Sequence, residues 1–411
     1  MTNDALLSAL SHFKQKSGCI LINGHSILDI VANYSTPLYI YDRGVIHWRY
    51  NALREKMPKE LQIYYAMKAN PNVDILRELG QLYDGFDIAS AGEMKRAMEA
   101  GVAAEKMSFA GPGKTEEELH FAVANGIGTI SVENPQEVEL LRCIGEKLNA
   151  KVNILIRVNP DFELSKSGMK MGGGPKQFGI DSVHVPSLIT KINNEDKLKF
   201  CGIHIFSGSQ NLDADAIVDS FKKIVEYAES LIEELNISID ILNLGGGFGI
   251  PYIFKDRDVD LVKIGSAVHS LLLESRNKLP QTRFIIELGR FIIGESGLYV
   301  SKVLYKKKSH DETFLILDGG MHHYLAASGN LGQKLVHRPM PITTINRLNN
   351  PAEKVNVVGP LCTPLDTFGF NVEIPAANEG DLIGIMNAGA YGYSASPLGF
   401  LSHENPPEIL I

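Results

Sequence analysis

The chain has 411 residues, 44% hydrophobic and 21% charged, with a formal net charge of -8, an ordinary globular composition with enough apolar residues for a large core. The negative balance argues against general nucleic-acid binding and against attraction to anionic membranes. Four cysteines, Cys19, Cys143, Cys201 and Cys362, stand far apart with no CxxC spacing, so neither a zinc site nor a disulfide framework is expected.

The first residues show no basic segment followed by an apolar one, and no apolar run reaches membrane-spanning length, so a cytoplasmic protein is expected. Residues 1–44 hold a short amphipathic stretch and two strand candidates, 18–22 and 37–42. A helix is expected over about 43–57. Then a regular alternation begins. Apolar strand candidates lie at 62–66, 85–88, 107–110, 128–132, 152–158, 200–206, 239–244 and 284–287. Helical patterns separate them at 72–79, 92–100, 115–124, 135–148, 185–193, 213–235 and 261–279. Strands joined through helices are parallel, and near-continuous apolar runs mark strands covered on both faces. The class is α/β, and eight such units fit one closed (β/α)8 barrel over 45–295 better than an open sheet, which periodicity alone leaves open.

After residue 295 the pattern changes. Segments 299–305, 313–317, 355–358, 370–374 and 382–386 are β-rich, without long helices, and punctuated by Gly, Pro and Asn. They predict a mainly antiparallel β sandwich or barrel, made from 296–411 together with the strands of 1–44. Lys306, Lys307 and Lys308 read as a solvated strand end.

Barrel enzymes carry their chemistry at the C-terminal ends of the strands. Here those ends read, in order, Lys68-Ala69-Asn70; Asp87 to Ser90 with Glu93; Gly111 to Lys114; Glu133-Asn134; Arg157 and Asn159; His204 and Ser207; Gly245-Gly246-Gly247; and Glu287, Gly289 and Arg290. Polar groups gather at one end of every strand. The first end, Tyr64-Tyr65-Ala66-Met67-Lys68, runs apolar residues straight into an ammonium. That is costly unless the amine is paired or used covalently. Lys68 reads as the Schiff-base lysine of pyridoxal phosphate, or as a strand-end lysine reaching solvent.

The other ends bear on that choice. Glycines 245–247 let backbone N–H groups approach a phosphate, and they fall where barrels bind one, beside Arg290. Glu287 could keep a pyridine nitrogen protonated, or pair with Arg290 or Arg157. His204 could lie flat against a ring, or be a core histidine. Asp87 and Glu93 could form a polar network with Lys68, or cap the helix that follows. In the β-rich part, Cys362 sits in a turn-prone Gly-Pro-Leu-Cys-Thr-Pro-Leu-Asp stretch where a thiol could give a proton to carbon. Tyr391, in Gly-Ala-Tyr-Gly-Tyr, could reach a phosphate or simply pack.

The ordered motifs Tyr-Tyr-Ala-Met-Lys-Ala-Asn, Phe-Asp-Ile-Ala-Ser-x-Gly-Glu, His-Ile-Phe-Ser-Gly-Ser, Leu-Gly-Gly-Gly-Phe-Gly, Glu-Leu-Gly-Arg, Gly-Pro-Leu-Cys and Gly-Ala-Tyr resemble those of the fold-type III pyridoxal-phosphate decarboxylases, among them diaminopimelate and ornithine decarboxylases. The resemblance runs over about residues 37–411. It implies that Lys68 binds the cofactor, His204 stacks on its ring and Glu287 meets the pyridine nitrogen. Ser207, Gly245, Gly246, Gly247, Gly289, Arg290 and Tyr391 would surround the phosphate. Asp87, Glu93 and Arg157 would support ring and lysine. It also implies a homodimer with shared sites, in which Cys362 of one subunit is the acid for Cα in the other.

The substrate end departs from diaminopimelate decarboxylases. Those carry an acidic residue after the cysteine, where this chain has Thr363, although Asp366 is kept. They also carry an Arg-Pro-x-Leu-Tyr segment after the Asp-Gly-Gly turn, where this chain reads Met321-His322-His323-Tyr324-Leu325. Thr363, Asp366, His322 and His323 are the substrate-side candidates. The segment 170–179 and the paired histidines make the chain most similar to the exosortase-associated and butirosin glutamyl-carrier branch, with siderophore decarboxylases nearby. The glycine-rich segment reads as a mobile lid or as a surface loop. The expected activity is α-decarboxylation of an amino acid or amino-acid conjugate, with the substrate carried on an acyl-carrier protein or of siderophore type. Diaminopimelate decarboxylation, racemisation, a non-catalytic cofactor-binding homologue and a phosphosugar isomerase are the competing readings.

Overall fold

The computed structural model describes residues 4–161, 169–170, 174–253, 256–329 and 340–411. The chain divides into two units, one of Tyr50–Gly249 with Val259–Phe291, the other of Met1–Arg49, Ile250–Asp258 and Ile292–Ile411.

The first unit is a closed parallel barrel. Its strands are β1 (Gln62–Ala66), β2 (Gly85–Ile88), β3 (Met107–Phe109), β4 (Thr129–Val132), β5 (Val152–Asn159), β6 (Leu198–His204), β7 (Ile241–Gly246) and β8 (Arg283–Leu288). Each pairs with the next, and β8 pairs with β1, so no edge is left. A helix follows each strand, at Val73–Leu82, Ala91–Glu99, Glu116–Ala124, Pro135–Leu148, Val185–Asn193, Ala214–Leu235, Leu261–Ser275 and Arg290–Ile293. Tyr64, Leu155, Cys201, Ile241 and Ile285, from five different strands, form one buried cluster.

Capping fixes where the loops above the barrel stop. Asn72, Ser90, Thr115, Asn134, Asp213 and Asp260 each accept backbone N–H bonds from the first turn of the helix that follows. Thr115 and Glu118 form a complete capping box. Two strands sit off their expected bounds. β6 starts at Leu198 and bulges between Phe200 and Gly202, while β7 runs on to Gly246 to pair with Glu287. Apolar patterning cannot see either shift, because ladder register is set by the neighbouring strand.

The second unit holds an eight-stranded, mainly antiparallel sheet. Gly297–Ser309 is its spine, pairing with Leu38–Tyr41, Leu382–Ile385 and Glu312–Leu317. Two pairs are parallel: Glu312–Leu317 with Ala352–Val358, and Glu408–Leu410 with Leu38–Tyr41. Leu38–Tyr41 thus joins this sheet from the N-terminal part of the chain, as expected. The strand Cys19–Ile22 instead forms a small separate meander with Lys14–Lys16 and His25–Ser26. Tight turns with positive φ at Ser17, Gly18, Asn23 and Gly24 close it on its own neighbours. Ile20 and Ile22 still reach the core shared by Leu38, Ile40, Leu298, Val300 and Leu382. Ile342–Thr344 and Glu408–Leu410 were not expected as strands, since three residues are too few to show a period.

Among the described residues no helix is long and apolar enough to cross a membrane.

Candidate active site

β1 ends at Ala66 and the chain tightens into one 3-10 turn, Met67–Ala69. Met67 and Ala69 are buried, while the Lys68 side chain is 44% exposed. Lys68 Nζ lies 3.6 Å from Asp87 Oδ2 and 5.2 Å from the centre of the Phe206 ring. Asp87 is brought there by its ladder pairing with Ala66. Burial, then the Glu287 carboxylate, push Asp87 well above the usual carboxylate range, with Lys68 pulling the other way. Its Oδ1 has no hydrogen-bond partner. Glu93 belongs to the helix start: its Oε2 accepts the N–H of Ala89 at 2.6 Å while Ser90 caps the helix. Burial raises its pKa.

His204, Asn243 and Glu287 sit on the consecutive strands β6, β7 and β8 and are all buried. Asn243 Nδ2 donates to Glu287 Oε1, and Asn243 Oδ1 accepts the N–H of Gly245 at 2.9 Å. His204 Nδ1 meets Ser131 Oγ at 3.2 Å. His204 Nε2 and Glu287 Oε2 lie 3.4 Å apart, and neither has a hydrogen-bond partner. Burial disfavours the charged form of Glu287, but His204, Lys68 and Asn243 outweigh it and hold the carboxyl at about 2.

The glycine run is demanded by the fold as well as by any ligand. Gly245 and Gly247 have φ of 66° and 90°, the left-handed region. A Cβ on Gly246 would strike the carbonyl of Glu287, and one on Gly247 the carbonyl of Gly208. Gly289 packs beside the lysine turn, where an added Cβ would come 2.9 Å from Ala69 Cβ and 3.0 Å from the carbonyl of Ala66. Arg290 opens the short helix directly after it. Ser207 Oγ meets Ser220 Oγ at 2.9 Å.

These residues fit pyridoxal phosphate. The buried, ionised Glu287 Oε2 lies 3.4 Å from His204 Nε2 but makes no hydrogen bond among the described residues, and a ring N–H would supply one. A glycine corner and an arginine suit a phosphate, and the half-exposed Lys68 amine is accessible for a covalent bond.

Arg157, on β5, donates to Glu133 Oε1 at 2.6 Å, and its guanidinium lies 5.0 Å from the centre of the Phe178 ring. Glu133 also accepts the N–H groups of Gly111 and Gly179. Behind it the buried Lys114 pairs with Glu137. Burial lowers the Lys114 pKa, against the pull of Glu137 and Glu133. The sequence placed Lys114 and Glu133 at strand ends without a role, and passed over Ser131, Glu137 and Asn243. A polar residue inside an otherwise apolar strand, as in Thr129–Val132 and Ile241–Gly246, is the signal that marks Ser131 and Asn243.

The remaining candidates belong to the second unit. Cys362 is exposed in the turn between Val358 and Thr367, and Thr363 is half-buried beside it. Asp366 is buried, its Oδ1 accepting the N–H of Met321 at 2.6 Å and its Oδ2 that of Leu361 at 2.8 Å, so it ties two turns together. His322 and His323 are buried with ring centres 3.6 Å apart. His323 is held by Tyr299 OH and the carbonyl of Glu404. Among the described residues both nitrogens of His322 lack hydrogen-bond partners, and its other ring neighbour is the exposed His403 at 4.8 Å. Burial drives His322 down to about 3 and His323 to about 4. Tyr391 has φ of 54° in the turn after Leu382–Ile385. Of the glycine-rich segment, Met171, Gly172 and Gly173 lie outside the described residues. Among the described residues no cluster suits a metal ion.

Residues 43–294 match the family model described as the pyridoxal-dependent decarboxylase, pyridoxal binding domain. The L-glutamyl-[BtrI acyl-carrier protein] decarboxylase of Niallia circulans is 39% identical over 93% of this chain and 90% of its own length. The 2-[(L-alanin-3-ylcarbamoyl)methyl]-2-hydroxybutanedioate decarboxylase of Staphylococcus aureus is 34% identical over 91% of this chain and 93% of its own. Among solved structures, diaminopimelate decarboxylase from M. jannaschi superposes with a TM-score of 0.88 at 26% identity, over 98% of this chain and 93% of that one.

Proposed function

The chain belongs to the pyridoxal-dependent decarboxylases of fold type III, and from that premise we propose that it removes the α-carboxylate of an amino-acid conjugate, with Lys68 as the cofactor lysine. Pyridoxal phosphate, when bound, supplies an electron sink for the pair left on Cα as carbon dioxide departs. The chain's own groups do the rest. Lys68 holds the cofactor through Nζ. Glu287 would keep a proton on the ring nitrogen, because it stays ionised at neutral pH and its Oε2, 3.4 Å from His204 Nε2, makes no hydrogen bond among the described residues. His204 lies against the ring. Gly245, Gly246, Gly247, Ser207, Gly289 and Arg290 would hold the phosphate. Asp87, Glu93 and Arg157 set the charge around the lysine. Cys362 of a second copy gives the proton to Cα. The buried, ionised Glu287 Oε2, paired with His204 but without a hydrogen bond among the described residues, is the observation that carries this assignment.

The substrate reading rests on the distal side. Thr363 is neutral and gives a distal ammonium no ion pair, and each oxygen of Asp366 already accepts a backbone N–H. The His322 ring offers neutral nitrogens, without a hydrogen-bond partner among the described residues, to a polar group of the substrate. We therefore read the substrate as a glutamyl-type amino acid carried on an acyl-carrier protein, the substrate class in the name of the Niallia circulans relative. A citryl-amine conjugate of the siderophore type is the second reading, favoured by the Staphylococcus aureus relative.

Carbon dioxide release across glutamyl-carrier, citryl-amine, diaminopimelate, ornithine, lysine and glutamate substrates tests this. Turnover of a carrier-linked or citryl substrate, with free diaminopimelate near background, is expected. Robust turnover of free diaminopimelate would refute the reading of Thr363 and the His322 segment.

A further inference from the structure

Lys114 stands in the loop after β3, and its side chain is 1% exposed. Lysines are rarely buried so fully, because each ammonium proton then needs an acceptor inside the protein. Here three acceptors are present: the Gly111 carbonyl at 2.6 Å, the Ser131 carbonyl at 3.0 Å and Glu137 Oε2 at 3.1 Å.

Two paths leave this ammonium. One passes through Ser131, whose hydroxyl meets His204 Nδ1 at 3.2 Å. The other passes through Glu137, whose Oε2 also accepts the N–H of Glu133 at 2.8 Å, and Glu133 then holds Arg157 at 2.6 Å. His204 and Arg157 are ladder partners on β6 and β5. One buried cation therefore stands at the fork of two chains of contacts that end on adjacent site residues.

We propose that Lys114 is a positioning residue of the cofactor site, fixing the His204 ring through Ser131 and the Arg157 guanidinium through Glu137 and Glu133. This rests on the reading above that His204 and Arg157 flank the cofactor. A merely local role, neutralising Glu137, predicts no energetic coupling to either of them.

The test uses the holoenzyme. Lys114→Met is made together with Glu137→Gln, so that no buried charge is left uncompensated. The readouts are the dissociation constant for pyridoxal phosphate, followed by visible absorbance, and the pH dependence of that band. In the wild-type background, His204→Ala and Arg157→Lys should each weaken cofactor binding by about tenfold or more. The paired Lys114/Glu137 variant should weaken it by about fivefold or more and change the pH dependence of the band. Adding His204→Ala or Arg157→Lys to it should then cost less than about twofold further. Full additivity overturns the proposal. If His204→Ala and Arg157→Lys leave binding unchanged in the wild-type background, the site reading itself fails.

Ser131→Ala keeps both charges and isolates one path. It should couple to His204→Ala and be additive with Arg157→Lys. Should the paired variant not fold, Lys114→Arg, which keeps the charge but changes the reach to the three acceptors, replaces it in the cycles with His204→Ala and Arg157→Lys, and full additivity overturns the proposal.

Discussion

At the scale of single residues, the site works by setting charges against burial. Asp87 and Glu287 are both deeply buried carboxyls, yet they are driven in opposite directions. Glu287 is stabilised as an anion by His204, Lys68 and Asn243, whereas Asp87 meets the Glu287 charge and is raised. Neighbouring carboxyls pushed apart in this way can take different tasks at one pH. Lys68 lies near Asp87 and retains solvent access, the combination a covalent lysine requires. Lys68→Ala should therefore lose all borohydride-trapped cofactor, read by mass spectrometry, and all carbon dioxide release. Trapped cofactor persisting in that variant would move the covalent lysine elsewhere.

At the scale of elements, the segment after Glu312–Leu317 contributes to the acid response of the second unit, beside His12, which burial also lowers to about 4. In the unfolded chain His322 and His323 take up protons below about pH 6.5. Folded, burial keeps them neutral down to about 3 and about 4. The unfolded state thus binds more protons over that range. The stabilising contribution is present above about pH 6.5 and is lost as pH falls toward 4 and then 3. The wild-type melting temperature should drop across this window. His322→Phe should flatten the drop. It should also cost little at pH 7, since neither ring nitrogen has a hydrogen-bond partner among the described residues. An unchanged slope would remove His322 from this role.

At the scale of the whole molecule, the proposed sharing of sites between two copies makes a direct prediction. Lys68→Ala and Cys362→Ala proteins, each nearly inactive, should recover roughly a quarter of wild-type activity when dissociated and reassembled together. Half of random dimers are mixed, and each mixed dimer rebuilds one of its two sites. No recovery above the sum of the separate activities would place the cysteine and lysine in one subunit.

The barrel was legible because its signal is local. Apolar strands alternate with amphipathic helices, and every helix register and cap can be read within about ten residues. The residues at the strand ends were legible for the same reason, since a barrel puts them at one face whatever closes it. Lys68, His204, the glycine run and Glu287 could thus be named from sequence position alone. The partners could not. Ser131 meets His204 across 73 residues, and Asn243 meets Glu287 across 44. Such pairs depend on which strands become neighbours and in what register. Lys114 looked like any loop lysine until the folded ring buried its ammonium among three acceptors. That Asp366 also ties two turns together through its oxygens was equally invisible in the sequence. Local periodicity therefore determined the class of fold, and the ordered motifs, through their resemblance, the kind of chemistry to expect. Which polar group faces which was decided only by ring closure and burial, because the cost of an unpaired polar atom exists only once water has been excluded.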